Sequence, residues 1–133
     1  MMKPFRLAAP SLAAALALSA CATTGEPTPL ADAGNVALGQ RAYVDGPIVQ
    51  PVAVIEDSRC PMNARCVWAG RVRLEMVWIR GNGDKQPFEV TLGEATPLAD
   101  GAIRLESVRP EKMTNVELKP EDYRFSFRFD GGL

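Results

Sequence analysis

Residues 71 to 79 read RVRLEMVWI. Val72, Leu74, Met76 and Trp78 alternate with Arg71, Arg73 and Glu75, and successive side chains of an extended chain point to opposite faces. This period of two predicts a half-buried strand. The same logic recurs in YRFSFRF, where Tyr123, Phe125, Phe127 and Phe129 face inward while Arg124, Ser126 and Arg128 face out. Phe88, Val90 and Leu92 alternate with Glu89 and Thr91, and Ile103 and Leu105 with Arg104 and Glu106. The apolar run VAVI at 52 to 55 suits a central strand.

The intervals carry turn residues: Asp45-Gly46-Pro47, Gly81-Asn82-Gly83-Asp84 and Asp100-Gly101. Such residues supply the positive φ that hairpins demand. No long stretch has helical spacing, and at most one helical turn fits between Pro110 and Pro120. The expected fold is all-β. It is an antiparallel sandwich of roughly six to eight strands in about 100 residues, with a small, partly open β-barrel as the alternative.

The chain begins MMKPFRLAAPSLAAALALSAC. Lys3 and Arg6 precede an apolar run from Leu7 to Ala20, shorter than the roughly 20 residues a membrane span requires. Charge followed by a short apolar stretch is the pattern of a signal peptide. Its last four residues, Leu18-Ser19-Ala20-Cys21, resemble the lipobox of bacterial lipoproteins. The resemblance implies that the leader 1–20 is removed, that the Cys21 thiol carries diacylglycerol, and that the new N-terminus takes a further acyl chain such as palmitate. Two or three chains anchor a protein stably where one does not. A lipid-anchored protein of the bacterial cell envelope follows as the expectation. Ala22, in place of an aspartate, leans towards the outer membrane with the domain facing the periplasm.

Residues 21–34 then read as lipidated cysteine and tether, since ATTGEPTPLADAG lacks the apolar residues to build a core. Residues 35–133 form a single expected domain. Lys and Arg number 15 against 16 Asp and Glu, for a net charge of −1. They are interleaved, without the clustered basic face that nucleic-acid binding requires. There is no histidine, which excludes Ser-His-Asp and Cys-His catalysis and every histidine metal ligand. Carboxylate pairs occur in any chain with 16 acids and carry no specificity. The chain is read as a non-enzyme.

The unusual residues concentrate in EDSRCPMNARCVWAG. With Cys21 assigned to lipid, Cys60 and Cys66 remain as a pair in an oxidising compartment. A disulfide closing so short a loop contributes about 2.4 kcal/mol in the chain-entropy picture. Two other readings stay open. Cys60, Met62 and Cys66 are soft ligands for copper(I), with Met76 and Met113 as further candidates, and the two thiols are also a possible exchangeable redox pair. No bound cofactor is called for. Asp57 and Ser58 suit a side-chain-capped turn. Cys66 and Trp68 are expected on one side of a strand, the indole covering the cystine at the core's edge, with a bend at Gly70. Arg59, Arg65 and Arg71, with Trp68, form a candidate binding rim for an envelope protein or a glycan, and Arg59 and Arg65 are also placed to pair with Glu56 or Asp57. The block itself resembles a segment of small exported bacterial proteins without assigned activity. It implies an exported β-rich domain and brings no catalytic residues. The function expected is a binding or assembly module at the envelope, with copper(I) or thiol-redox handling as the alternative.

Overall fold

The computed structural model describes Met2, Pro4 and residues 8–11 and 29–132. The expected lipidation at Cys21 lies outside the described residues. Among the described residues eight strands form: β1 (Ala31–Asp32), β2 (Ala42–Tyr43), β3 (Ile48–Asp57), β4 (Val72–Ile79), β5 (Lys85–Thr91), β6 (Ala95–Leu98), β7 (Gly101–Arg109) and β8 (Arg124–Gly131). They make two sheets, a five-stranded one in the order β1-β2-β3-β4-β5 and a three-stranded one in the order β6-β7-β8. Every pairing is antiparallel except β1 with β2. Neither sheet closes into a barrel, so the sandwich expectation holds and its alternative does not.

The alternating residues meet where the pattern sends them. Val72, Leu74 and Met76 from β4, Ile103 and Leu105 from β7, and Phe125, Phe127 and Phe129 from β8 share one buried core with Val36, Val49 and Val90. Burying one large apolar side chain is worth about 1.5–3 kcal/mol, so this layer dominates the favourable side of folding. In β7 the inward phase switches from odd to even residues. A bulge between Leu105 and Ser107 inserts one residue, and Val108 turns inward again.

β3 departs from expectation. It lies mid-sheet, but β2 covers only Ile48 and Val49. Among the described residues the rest of that edge has no strand beside it. Two register shifts, at Pro51/Ala53 and Val54/Glu56, leave Val52 and Ile55 44% and 46% exposed instead of buried. The amino-terminal boundary also differs. Residues 31–34, read as tether, belong to the fold: β1 joins the first sheet, and the Ala33 carbonyl accepts from the Phe127 amide at 2.8 Å. Val36 and Phe125 then exchange both backbone bonds. The helical turn is a three-residue 3-10 segment at Pro120–Asp122, just past the interval in which it was expected.

The registers define two ends. At one end lie the tight turns at 45–47, 80–84 and 99–100. At the other, β3 ends at Asp57, β4 begins at Val72, β7 ends at Arg109 and β8 begins at Arg124. The long segments 58–71 and 110–123 meet there.

Candidate functional site at the cystine end

The first long segment leaves β3 as a narrow neck. Ser58 and Arg71 face each other, with the Ser58 amide donating to the Arg71 carbonyl at 2.9 Å and the Arg71 amide to Ser58 Oγ at 3.0 Å. Gly70 makes this approach possible. Its φ is +69°, and a Cβ there would stand 1.8 Å from the Ser58 carbonyl oxygen. Beyond the neck, Cys60 and Cys66 form a disulfide with a Cα–Cα distance of 5.9 Å. The copper(I) set Cys60, Met62 and Cys66 does not exist in this state, because neither sulfur is a free thiolate. Met76 lies fully inside the core.

The second segment buttresses the first. The Met62 amide donates to the Lys112 carbonyl at 2.7 Å. Asn63 bonds Thr114 twice, through Nδ2 to Oγ1 at 2.6 Å and through Oδ1 from the Thr114 amide at 2.9 Å. Both loops are thereby fixed to one another as well as to the sheets.

Beneath them is a partly buried polar cluster. Arg59 donates through Nε and a terminal nitrogen to the two oxygens of Asp57, each at 2.9 Å, a bidentate fork. Its other terminal nitrogen reaches the Val108 carbonyl at 3.0 Å. The Tyr123 hydroxyl donates to Asp57 Oδ2 at 2.8 Å, and Lys112 Nζ donates to the Asp57 carbonyl at 2.9 Å. Burial raises the cost of charge on Asp57, but the bonds from Arg59 and Tyr123, with the Arg59 charge, outweigh it and hold its pKa below the ordinary 3.8. The Asp57 hydrogen bond holds the Arg59 guanidinium above its usual value. Burial, aided by the bond to Asp57 and its charge, pushes Tyr123 up to about 12. The cluster ties β3, β7 and the entry to β8 together across the two sheets.

Three expectations about the rim change accordingly. The Arg59 side chain is only 14% exposed and is committed to Asp57, so it is a structural residue. Arg71 is exposed but paired with Glu56. Trp68 does not cover the cystine. Gly70 ends the extended run, β4 starts at Val72, and the indole stands 66% exposed in an irregular loop. Arg65 is exposed as expected and makes no ion pair among the described residues.

The sequence reading missed the apolar character of this end. Met62 is 66% exposed and Val67 fully so, beside Trp68 on the same loop, and Met113 and Val116 are exposed on the buttressing segment. The available signal was Val67-Trp68, two adjacent large apolar residues that no alternating strand can bury together.

Two grooves lie among the described residues. One, of about 420 Å³, runs along the open edge of β3 and includes Leu38, Val52, Ile55, Leu118 and Tyr123. The other, of about 590 Å³, lies at the opposite end near Trp78 and Arg80, whose guanidinium sits 5.0 Å from the indole centroid. No family model, curated protein or solved structure matches the chain.

Proposed function

We propose that this chain is a lipid-tethered, non-catalytic binding or assembly module of the bacterial cell envelope, anchored through Cys21, with its contact surface at the cystine end. The observation that carries this reading is the exposure of Met62 inside the ring closed by Cys60–Cys66 and of Val67 and Trp68 just beyond it. Soluble domains rarely keep a cluster of large apolar side chains in water without a partner. Rigid support favours recognition, because a loop held by a cystine and by Asn63–Thr114 loses little further entropy on binding. The polar network beneath it accounts for Asp57, Arg59 and Tyr123 as support.

The test has two arms. The mature protein is expected to partition into detergent with its mass raised by acyl chains, and Cys21→Ser to abolish both. A partner recovered from envelope extracts is expected to lose at least ten-fold in affinity for Val67→Ser/Trp68→Ser protein whose urea midpoint is unchanged. A water-soluble, unacylated wild type sinks the anchor. Undiminished affinity sinks the contact surface.

A further inference from the structure

We infer that the cystine end is sensitive to oxidants: oxygen transfer from a peroxide to the thioethers of Met62 and Met113 makes the contact surface polar and releases its partner. This inference rests on the contact-surface reading and adds its regulation.

The chain has five methionines. Met1 and Met2 belong to the leader that the tethered reading removes, which leaves Met62, Met76 and Met113 in the domain. Met62 is 66% exposed and Met113 42%, while Met76 is fully buried in the core. The two exposed methionines belong to adjoining pieces of backbone. The Met62 amide donates at 2.7 Å to the carbonyl of Lys112, the residue before Met113. The next residues along, Asn63 and Thr114, bond each other twice. An oxidant in solution therefore reaches two thioethers at one end of the sandwich and is kept from the third.

The reaction moves one oxygen atom to each sulfur. A thioether lone pair attacks one oxygen of hydrogen peroxide, the O–O bond breaks, and the hydroxide released takes up the remaining hydroxyl proton. The sulfur is oxidised by two electrons to the sulfoxide, and the peroxide is reduced to water. A flexible apolar side chain thereby becomes a polar one. A contact that must strip water from a sulfoxide oxygen without bonding it loses affinity.

The supports of this end offer the oxidant nothing. Cys60 and Cys66 are already joined, so no free thiol among the described residues consumes peroxide first. The bonds from Arg59 and Tyr123 to Asp57, and those between Asn63 and Thr114, run between nitrogen and oxygen atoms. Oxidation thus changes the polarity of the surface while the loop beneath it keeps its shape.

The experiment places a photo-crosslinking amino acid at Arg65, exposed on the same loop, in the full-length protein in isolated envelopes. The protein adduct is measured before and after hydrogen peroxide. Peptide mass spectrometry is expected to find one added oxygen on Met62 and on Met113 at a dose that leaves Met76 unmodified. At that dose the adduct should fall at least five-fold, with the urea midpoint of the purified, treated protein unchanged. The treated-to-untreated ratio should stay near one for Met62→Leu/Met113→Leu, whatever its starting yield. Met62→Gln/Met113→Gln, with a polar group in place of the thioether, should show the low yield without peroxide. The inference is overturned if Met76 is oxidised as fast, if treatment lowers the urea midpoint, or if the wild-type adduct survives with both exposed methionines oxidised. An equal loss in the leucine protein, or an undiminished yield in the glutamine protein, also overturns it. No adduct in the untreated protein would overturn the contact-surface reading and this inference with it.

Discussion

The two ends of the sandwich are closed by different means. At the tight-turn end each connection is local. Arg80 and Asp84 close the β4–β5 hairpin with a 2.8 Å backbone bond, Asn82 caps it through its side chain, and Ala99-Asp100 joins β6 to β7 with a φ of +52° at Ala99. At the cystine end the chain is closed by bonds between residues far apart in sequence. Arg59 reaches Val108, Lys112 reaches Asp57, and Tyr123 reaches back to Asp57 across 66 residues. A local turn costs little loop entropy and is stable once its strands pair. A long loop needs side-chain bonds, a cross-link or both to hold one shape.

The sharpest way to break this contrast is a glycine pair. Gly70→Ala is expected to cost more than about 4 kcal/mol or to prevent accumulation of folded protein, because a left-handed φ and a backbone collision act together. Gly83→Ala, with a similar φ of +88° and open space around it, should cost about 1 kcal/mol. Urea unfolding or soluble yield reads both, and equal effects would erase the difference between the ends.

Next in size is Asp57→Ala, which leaves the Arg59 guanidinium and the Tyr123 hydroxyl without their acceptor. A loss of about 3 kcal/mol is expected. The pH dependence has a defined sign. The folded pKa of Asp57 lies below its unfolded value, so its contribution is complete above about pH 4. That contribution is lost as pH falls through the lower folded value. Wild-type and Asp57→Asn unfolding curves should therefore converge in acid. The raised pKa of Tyr123 acts in the other direction: its contribution is whole below pH 10 and fades as pH rises towards about 12. Parallel curves across the acid range would show that Asp57 titrates alike in the folded and unfolded chain and carries no linkage.

The smallest of the three is removal of the cross-link. Cys60→Ala/Cys66→Ala should lower stability by about 2 kcal/mol without unfolding the sheets, because the Asn63–Thr114 and Arg59–Asp57 bonds remain. A complete loss of structure would mean that the cystine, and not the polar cluster, holds this end.

What was legible in the sequence tracks the same division. The alternation in 72–78 and 123–129 and the Asn82-Gly83 turn are encoded within a few residues, and the strands and hairpins lie where that code puts them. The cystine pair was legible from its count and spacing. The fate of Arg59 was not, because Asp57 was a near neighbour on paper while Val108 and Tyr123, which complete its site, arrive from the other sheet. Trp68 was misread because alternation was carried back through Gly70, whose left-handed backbone resets the direction of every residue before it. The bulges of β3 left no mark in VAVI, which reads as a buried strand whether or not an edge is free.

Those bulges bear on life at a surface. Copies held to a membrane through Cys21, as proposed, are confined to a thin layer where they collide far more often than in bulk. In such a layer an unguarded row of backbone amides invites neighbours to zip strand to strand into a growing ribbon. Beyond Val49 no strand covers β3 among the described residues, but the Gly39 amide occupies the Pro51 carbonyl at 2.7 Å, and Pro51 and two register shifts break the rest of the row into pieces too short and too twisted to template a partner strand. Crowded copies can then jostle side by side without polymerising, leaving each cystine end separately available.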